Sequence, residues 1–387
     1  MLNKVKKIIL KYRRTSCVVL SALLVGSIFT AVASNKYDEY SVDAGFDTIF
    51  SVGTMNTVSG VPEISVFPDA EPSISDITNN SDSPAYLSSG LRTTVDLSNS
   101  ANRSHLMSSG VSLSSNKVAV TSSALDHVIQ LLSFDGNGIQ SKGISGDFSA
   151  LNELITKSGM DVGFLAVRIR DGAAIAYQQD KYFQSCSTIK APYSLYVAKL
   201  ISEGKLDPEK SVAYTSSDYM TGSGSIKNFS YGTHFRIKTL VEYSISKSDN
   251  IAHNMLNSAI GSAGFYDMLD RMNCNIPTTQ NLVWPESNAK SAVLWWSQIY
   301  SFRNEGDIGK WLWDLFDINY SKISVALNGK SCHTKTGSST YCSHEAGVVL
   351  GNEPYIVAIY TKTSSSYGVP DSYFYSVARE IDKLISG

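Results

Sequence analysis

The chain has 387 residues, 43% of them hydrophobic and 18% charged, and its formal net charge is −2. That length accommodates two average domains, or one large domain with appendages. The near-neutral charge excludes nucleic acid as the main partner, because no basic excess exists to neutralise phosphates. Aromatics at 10% exclude wholesale disorder, and only one uncharged apolar stretch approaches spanning length, which excludes a polytopic membrane protein.

The first element is an address. Lys4, Lys6, Lys7, Lys11, Arg13 and Arg14 precede a run, 15–33, without any charge, and the run ends in Ala31-Val32-Ala33. A basic start, an apolar core and small residues at its end describe an export signal, residues 1–33, either cleaved or kept as a membrane anchor. An extracytoplasmic protein is therefore expected, secreted or anchored to the bacterial cytoplasmic membrane. Residues 34–122 contain 20 Ser, 7 Thr, four Lys or Arg and ten Asp or Glu, with no Trp. Such a composition buries too little apolar surface to offset chain entropy, and it predicts a disordered linker.

From 123 onward the pattern predicts a folded domain. Ala124 to Leu132 has helical periodicity. Val162 to Arg170 is a strand, Asp171-Gly172 a hairpin turn, and Ala173 to Gln178 the returning strand. Residues 187–325 are mostly helical. Residues 329–336, 343–350 and 354–362 are three more strands. Phe374, Val377, Ala378, Ile381 and Ile385 stripe one face of a closing helix. Strands at both ends with helices inserted between them predict an α+β fold. Its antiparallel sheet should carry the terminal helices on one face, with a helical subdomain beside it.

Three motifs carry the chemistry. Ser187-Thr188-Ile189-Lys190 opens a helical pattern, so residues i and i+3 share a face and Lys190 can reach the Ser187 hydroxyl. Serine needs a base to attack at neutral pH, and a lysine serves as one only when held neutral. Free N–H groups at a helix start suit a developing oxyanion. Ser248-Asp249-Asn250 supplies a hydroxyl to relay a proton and an amide to hold a substrate. Lys335-Thr336-Gly337, on a strand, supplies a charge for a substrate carboxylate and a residue without Cβ where backbone must approach the substrate. The N–H of Ser338 is the candidate second oxyanion donor.

Each motif alone is weak, but the ordered trio in these settings is specific. With Ala346-Gly347-Val348-Val349 as a neighbouring strand, the chain from about 123 to its end resembles the class A β-lactamase and penicillin-binding protein superfamily of active-site serine enzymes. The resemblance implies a β-lactamase-like fold and an acyl-enzyme formed on Ser187, with Lys190 or Ser248 managing the proton. Asn250, Lys335, Thr336, Gly337 and Ser338 would hold a β-lactam or a D-Ala-D-Ala cell-wall peptide. It also implies a monomer without a cofactor. Two readings stay open: a serine hydrolase, of β-lactamase or D,D-peptidase type, and a tethered penicillin-binding sensor or scaffold that turns nothing over.

The sequence departs from the family at one point. The deacylating glutamate pattern E-x-x-L-N is missing between 250 and 335, and the nearest string is Trp284-Pro285-Glu286-Ser287-Asn288. With Pro285, Glu286 and Asn288 laid on the family loop, Trp284 falls where the glutamate belongs, and Glu286 is the remaining candidate. Some members bridge the residue before the nucleophile to one beyond the third motif, which implies Cys186 with Cys342, or else Cys332. Free buried thiols are the alternative. A zinc cluster of Cys332, His333, Cys342 and His344 is not expected, since neighbouring strand residues point to opposite faces. Trp295, Trp296, Trp311 and Trp313 are expected to pack helices.

Overall fold

The computed structural model describes residues 116–387, apart from 135, 137, 278–280 and 318–319. The expected export segment and nearly all of the expected linker lie outside the described residues. Among those described, no helix is long and apolar enough to cross a membrane.

In chain order, helix α1 (Ala124–Leu131) leads to strand β1 (Gln140–Lys142), α2 (Ser149–Ser158), β2 (Asp161–Arg168), β3 (Ala174–Tyr177) and the short β4 (Phe183–Gln184). A 3-10 turn, Cys186–Ile189, then runs straight into α3 (Lys190–Ser202). The hairpin β5 (Ser211–Ala213) and β6 (His234–Arg236) comes next. It is followed by α4 (Ile237–Ser246), α5 (Asn250–Ile260), α6 (Ala263–Arg271), β7 (Glu286–Ser287), α7 (Ala289–Phe302), α8 (Gly306–Asp317) and α9 (Lys322–Ala326). Strands β8 (Cys332–Ser338), β9 (Cys342–Val349) and β10 (Tyr355–Lys362) and helix α10 (Asp371–Ser386) close the domain.

Six strands pair antiparallel in the order β1-β3-β2-β10-β9-β8, so the first and last parts of the chain meet at the β2–β10 seam. The strands read as almost unbroken apolar runs because both faces of the sheet are covered. On one face Phe164, Ala166, Val357 and Ile359 pack with Leu151 and Ile155 of α2 and with Phe374, Val377, Ala378, Ile381 and Ile385 of α10. On the other, Leu165, Val167, Ile356 and Ala358 meet the helical part, including Trp295 and Trp296, both fully buried. The α+β architecture and the five long strands agree with the sequence reading to within a few residues.

Three differences have physical causes. The terminal helices do not share a face: α1 packs through Ile129 with the helical part, opposite α10, and it is α2 that lies beside α10. Helix α2 escapes sequence inspection because it buries only Leu151 and Ile155. The folded region also begins before 123. Val118 is buried, and distant side chains claim the backbone around it: Tyr196 and Arg271 donate to the Asn116 and Val118 carbonyls, and Gln298 to that of Thr121. A segment held by its backbone leaves no apolar period to read.

Ser123 caps α1 reciprocally with Asp126, whose carboxylate also accepts from Gln298 of α7 at 2.7 Å. The extra helix is thereby made part of the domain. Ile129→Ala should cost about 2–5 kcal/mol, in one cooperative denaturant transition, because it opens a cavity in the main core. A loss under about 0.5 kcal/mol, the range of surface substitutions, would show that α1 is only appended.

Candidate active site

The nucleophile turn is fixed from three sides. Its 3-10 geometry puts Ser187 just before Lys190, the first residue of α3, and both are buried. Thr188 donates to the Ser185 carbonyl at 2.6 Å and shares a 3.0 Å bond with the Tyr360 hydroxyl of β10, which also receives Ser287 of β7. Strand β8 presses on the turn at Gly337, where a Cβ would lie 2.8–2.9 Å from the Thr188 and Ser187 nitrogens. The expected reason for that glycine was close approach to substrate. The structure gives a different one: a side chain here would push β8 off the nucleophile's own backbone. Cys186, just before the nucleophile, holds φ at +48°, a left-handed conformation that costs a non-glycine residue about 1 kcal/mol or more.

The three motifs converge. Lys190 Nζ lies 3.1 Å from Ser187 Oγ and 3.2 Å from Ser248 Oγ, and it also donates to the Ser248 carbonyl and, at 2.7 Å, to Asn250 Oδ1. Lys335 Nζ approaches the same Ser248 hydroxyl at 3.0 Å and donates to the Thr336 carbonyl at 2.9 Å. One hydroxyl therefore stands between two lysines, and a second hydroxyl lies behind the first lysine. Ser248 reaches this position at φ +49°, again left-handed.

Asp249, which sequence reasoning left without a role, holds the second motif in place. One carboxylate oxygen caps α5 by accepting from Ile251 and Ala252 N–H, and the other accepts from Ser225 and Ile226 N–H at 2.6 and 2.8 Å. A Cβ at Gly224 would fall 2.2 Å from the Asp249 carboxyl carbon. The Gly222–Gly224 loop is thereby seated on the motif. Asn250 was expected to hold a substrate amide. Its Oδ1 already serves Lys190 and its Nδ2 donates to the Thr221 carbonyl at 2.9 Å, so its first task is to aim the lysine, with one N–H left over for a ligand.

The loop before α7 brings Trp284, not a carboxylate, over Lys190. The indole centroid is 5.2 Å from Nζ, within cation–π range. Glu286 is exposed on β7, where its backbone pairs with Gln184, and its charge acts on Tyr182. Behind Trp284, His253 is fully buried. Burial first, and the nearby Lys190 charge second, push its imidazole down to about 3, so it is neutral at physiological pH.

The four described cysteines are all free thiols, so the Cys186–Cys342 bridge that the resemblance implied is not formed. The sulfurs of Cys186 and Cys342 and the His344 ring are nevertheless grouped within 4.8 Å. A hydrogen bond from Cys186 is the main cause that draws the Cys342 thiol well below its ordinary range, against the opposing effect of burial. The trio fits a metal poorly. His344 Nδ1 accepts from the Thr361 N–H at 3.1 Å and Nε2 donates to the Gln184 carbonyl at 3.0 Å, which leaves no imidazole lone pair for an ion. Cys332 packs with α10 whereas its neighbour His333 stacks on Trp313 at 3.9 Å, on opposite sides of the strand. Trp311 is anchored by a bond to Glu242, so four of the five tryptophans pack helices or strands.

Comparison with solved structures finds the same fold at low identity. An acyl-enzyme complex of a PBP-A mutant with penicillin G is 17% identical, with a TM-score of 0.56 over 61% of this chain and 94% of that one. The β-lactamase from Sphaerobacter thermophilus DSM 20745 is 16% identical, with a TM-score of 0.54 over 62% of this chain and 98% of that one. A class A β-lactamase mutant representing the last common ancestor of Gram-negative bacteria is 21% identical, with a TM-score of 0.53 over 61% and 96%. The model of the Beta-lactamase enzyme family matches residues 148–385, more than half of the chain. On that match, with the three motifs gathered in one cleft, the chain belongs to the β-lactamase enzyme family.

Proposed function

We propose that the protein is an extracytoplasmic active-site serine enzyme that is acylated by β-lactams or by D-Ala-D-Ala cell-wall peptides and releases the acyl group slowly. The observation that carries this reading is the unbroken hydrogen-bonded line Ser187 Oγ, Lys190 Nζ, Ser248 Oγ, Lys335 Nζ, with separations of 3.1, 3.2 and 3.0 Å. The basic and then apolar stretch 1–33 supports the extracytoplasmic setting.

In the first step Ser187 Oγ bonds to the substrate carbonyl carbon while Lys190, in its neutral form, takes the hydroxyl proton. The Ser187 and Ser338 N–H groups hold the resulting oxyanion. The C–N bond then breaks. Ser248, between the lysines, delivers a proton to the departing nitrogen and recovers one from Lys190, so no net charge is left behind. Lys335 and Thr336 receive the substrate carboxylate. Hydrolysis of the ester needs a water with a base beside it. Trp284 over Lys190 and the exposed Glu286 supply no such base, which favours a penicillin-binding, peptidase-like enzyme over a fast β-lactamase.

Labelling the full chain with a fluorescent penicillin tests the reading. Ser187→Ala should abolish the covalent label, and retained labelling removes Ser187 from the mechanism. Glu286→Gln should leave both the rate of labelling and the rate of its loss within about twofold of the parent. A drop in label loss of tenfold or more, about 1.4 kcal/mol in the barrier, would identify Glu286 as the base after all.

A further inference from the structure

Trp284 is not a loose cap. Three consecutive residues of its loop are each held by a side chain: Tyr266 donates to the Leu282 carbonyl at 3.0 Å, His253 Nε2 lies 3.2 Å from the Val283 carbonyl, and Asn281 Oδ1 accepts the Trp284 N–H at 3.0 Å. His253 does more than the other two. A carbonyl can only accept, so the bond to Val283 places the imidazole proton on Nε2. The more distant Asn257 amide, at 3.4 Å, already donates to the His253 carbonyl at 3.0 Å. The His253 ring also meets Trp284 edge-on at 4.8 Å and is backed by Tyr193 at 5.2 Å, so it is a wedge that sets the indole's height above Lys190. Its Nδ1 is buried and has no hydrogen-bond partner among the described residues.

We infer that His253 is a positioning residue for the acyl-enzyme: it holds the Val283–Trp284 peptide so that the indole covers Lys190 and keeps water from the Ser187 ester, and thereby sets the lifetime of that ester. The inference rests on the proposed acylation of Ser187. The guarded step is hydrolysis, in which water oxygen bonds to the acyl carbon, the bond to Ser187 Oγ breaks, and one water proton returns to Oγ. His253 takes no part in the bond changes.

The experiment separates acylation from loss of the acyl group. Full-length protein is labelled with a fluorescent penicillin, then chased with excess unlabelled drug, and both rates are followed. His253→Ala should shorten the label's lifetime at least tenfold while acylation changes by less than threefold. His253→Gln, whose amide N–H can reach the same carbonyl, should restore a lifetime near that of the parent. Trp284→Ala should shorten it as His253→Ala does, and it decides the matter if His253→Ala fails to fold. An unchanged lifetime in Trp284→Ala overturns the inference. So does an unchanged lifetime in a folded His253→Ala, or a His253→Gln that behaves like the alanine variant. A parent that loses its label within seconds overturns it while leaving acylation of Ser187 standing. A parent that takes no label overturns both readings together.

Discussion

Two buried lysines share one hydroxyl, and the remainder of the site exists to make that tolerable. Lys190 and Lys335 reach Ser248 Oγ from opposite sides, at 3.2 and 3.0 Å. If both were charged, they would repel by roughly 3 kcal/mol at an effective dielectric of about 20. The compensation is visible around each. Lys190 faces the Ser248 carbonyl, the Asn250 amide oxygen and the Trp284 ring, and Lys335 faces the Thr336 carbonyl. Every one of these is a dipole or a π face. On the proposed reading, a substrate carboxylate would add a full anion to this line of groups.

Holding such a line requires a rigid frame. The frame here is made from backbone rather than from large side chains. The nucleophile turn is seated by Gly337, the second motif by Asp249, and the loop above it by Gly224, each through contacts with main-chain atoms. Two left-handed residues, Cys186 and Ser248, sit beside or within the motifs themselves. Strain of this sort survives only where neighbours over-determine the geometry. The Tyr360 hydroxyl, bonded to Thr188 and Ser287, shows how that is done, by tying the turn to the strand in the middle of the sheet.

The chemistry was legible in the sequence because its spacing is local: i and i+3 on a helix start, a serine two residues before an asparagine, a lysine two before a glycine. The strands were legible because alternation and apolar runs are local too. What escaped is what depends on partners remote in the chain. Asp249 binds N–H groups more than twenty residues earlier, Tyr360 bonds a threonine 172 residues away, and the Val118 segment is held by side chains from three later helices. The side of the sheet chosen by α1 likewise depends on remote partners, Gln298 bonding Asp126 and the main core receiving Ile129. Gly337 was read as a place where backbone approaches substrate, and in the structure the backbone close to it is that of Ser187 and Thr188.

The division between framework and loop also explains how two opposed outcomes can arise from one fold. The proposed acylation would draw on groups locked into helices and strands: Ser187 and Lys190 at a helix start, Ser248 beside a helix cap, Lys335 within a strand. Removal of the acyl group would draw on whatever 281–286 presents to the cleft, a stretch tied to the framework by side-chain bonds to the Leu282 and Val283 carbonyls and by backbone pairing at Pro285 and Glu286. None of the hydrogen bonds given above for the sheet, the turn or the lysine pair passes through Trp284, although its ring lies 5.2 Å from Lys190 Nζ. On the proposed reading an indole there bears on the second half of the cycle, because an ester from which water and base are both withheld persists. In this chain the bulky indole and the buried imidazole behind it meet edge to face, with ring centroids 4.8 Å apart.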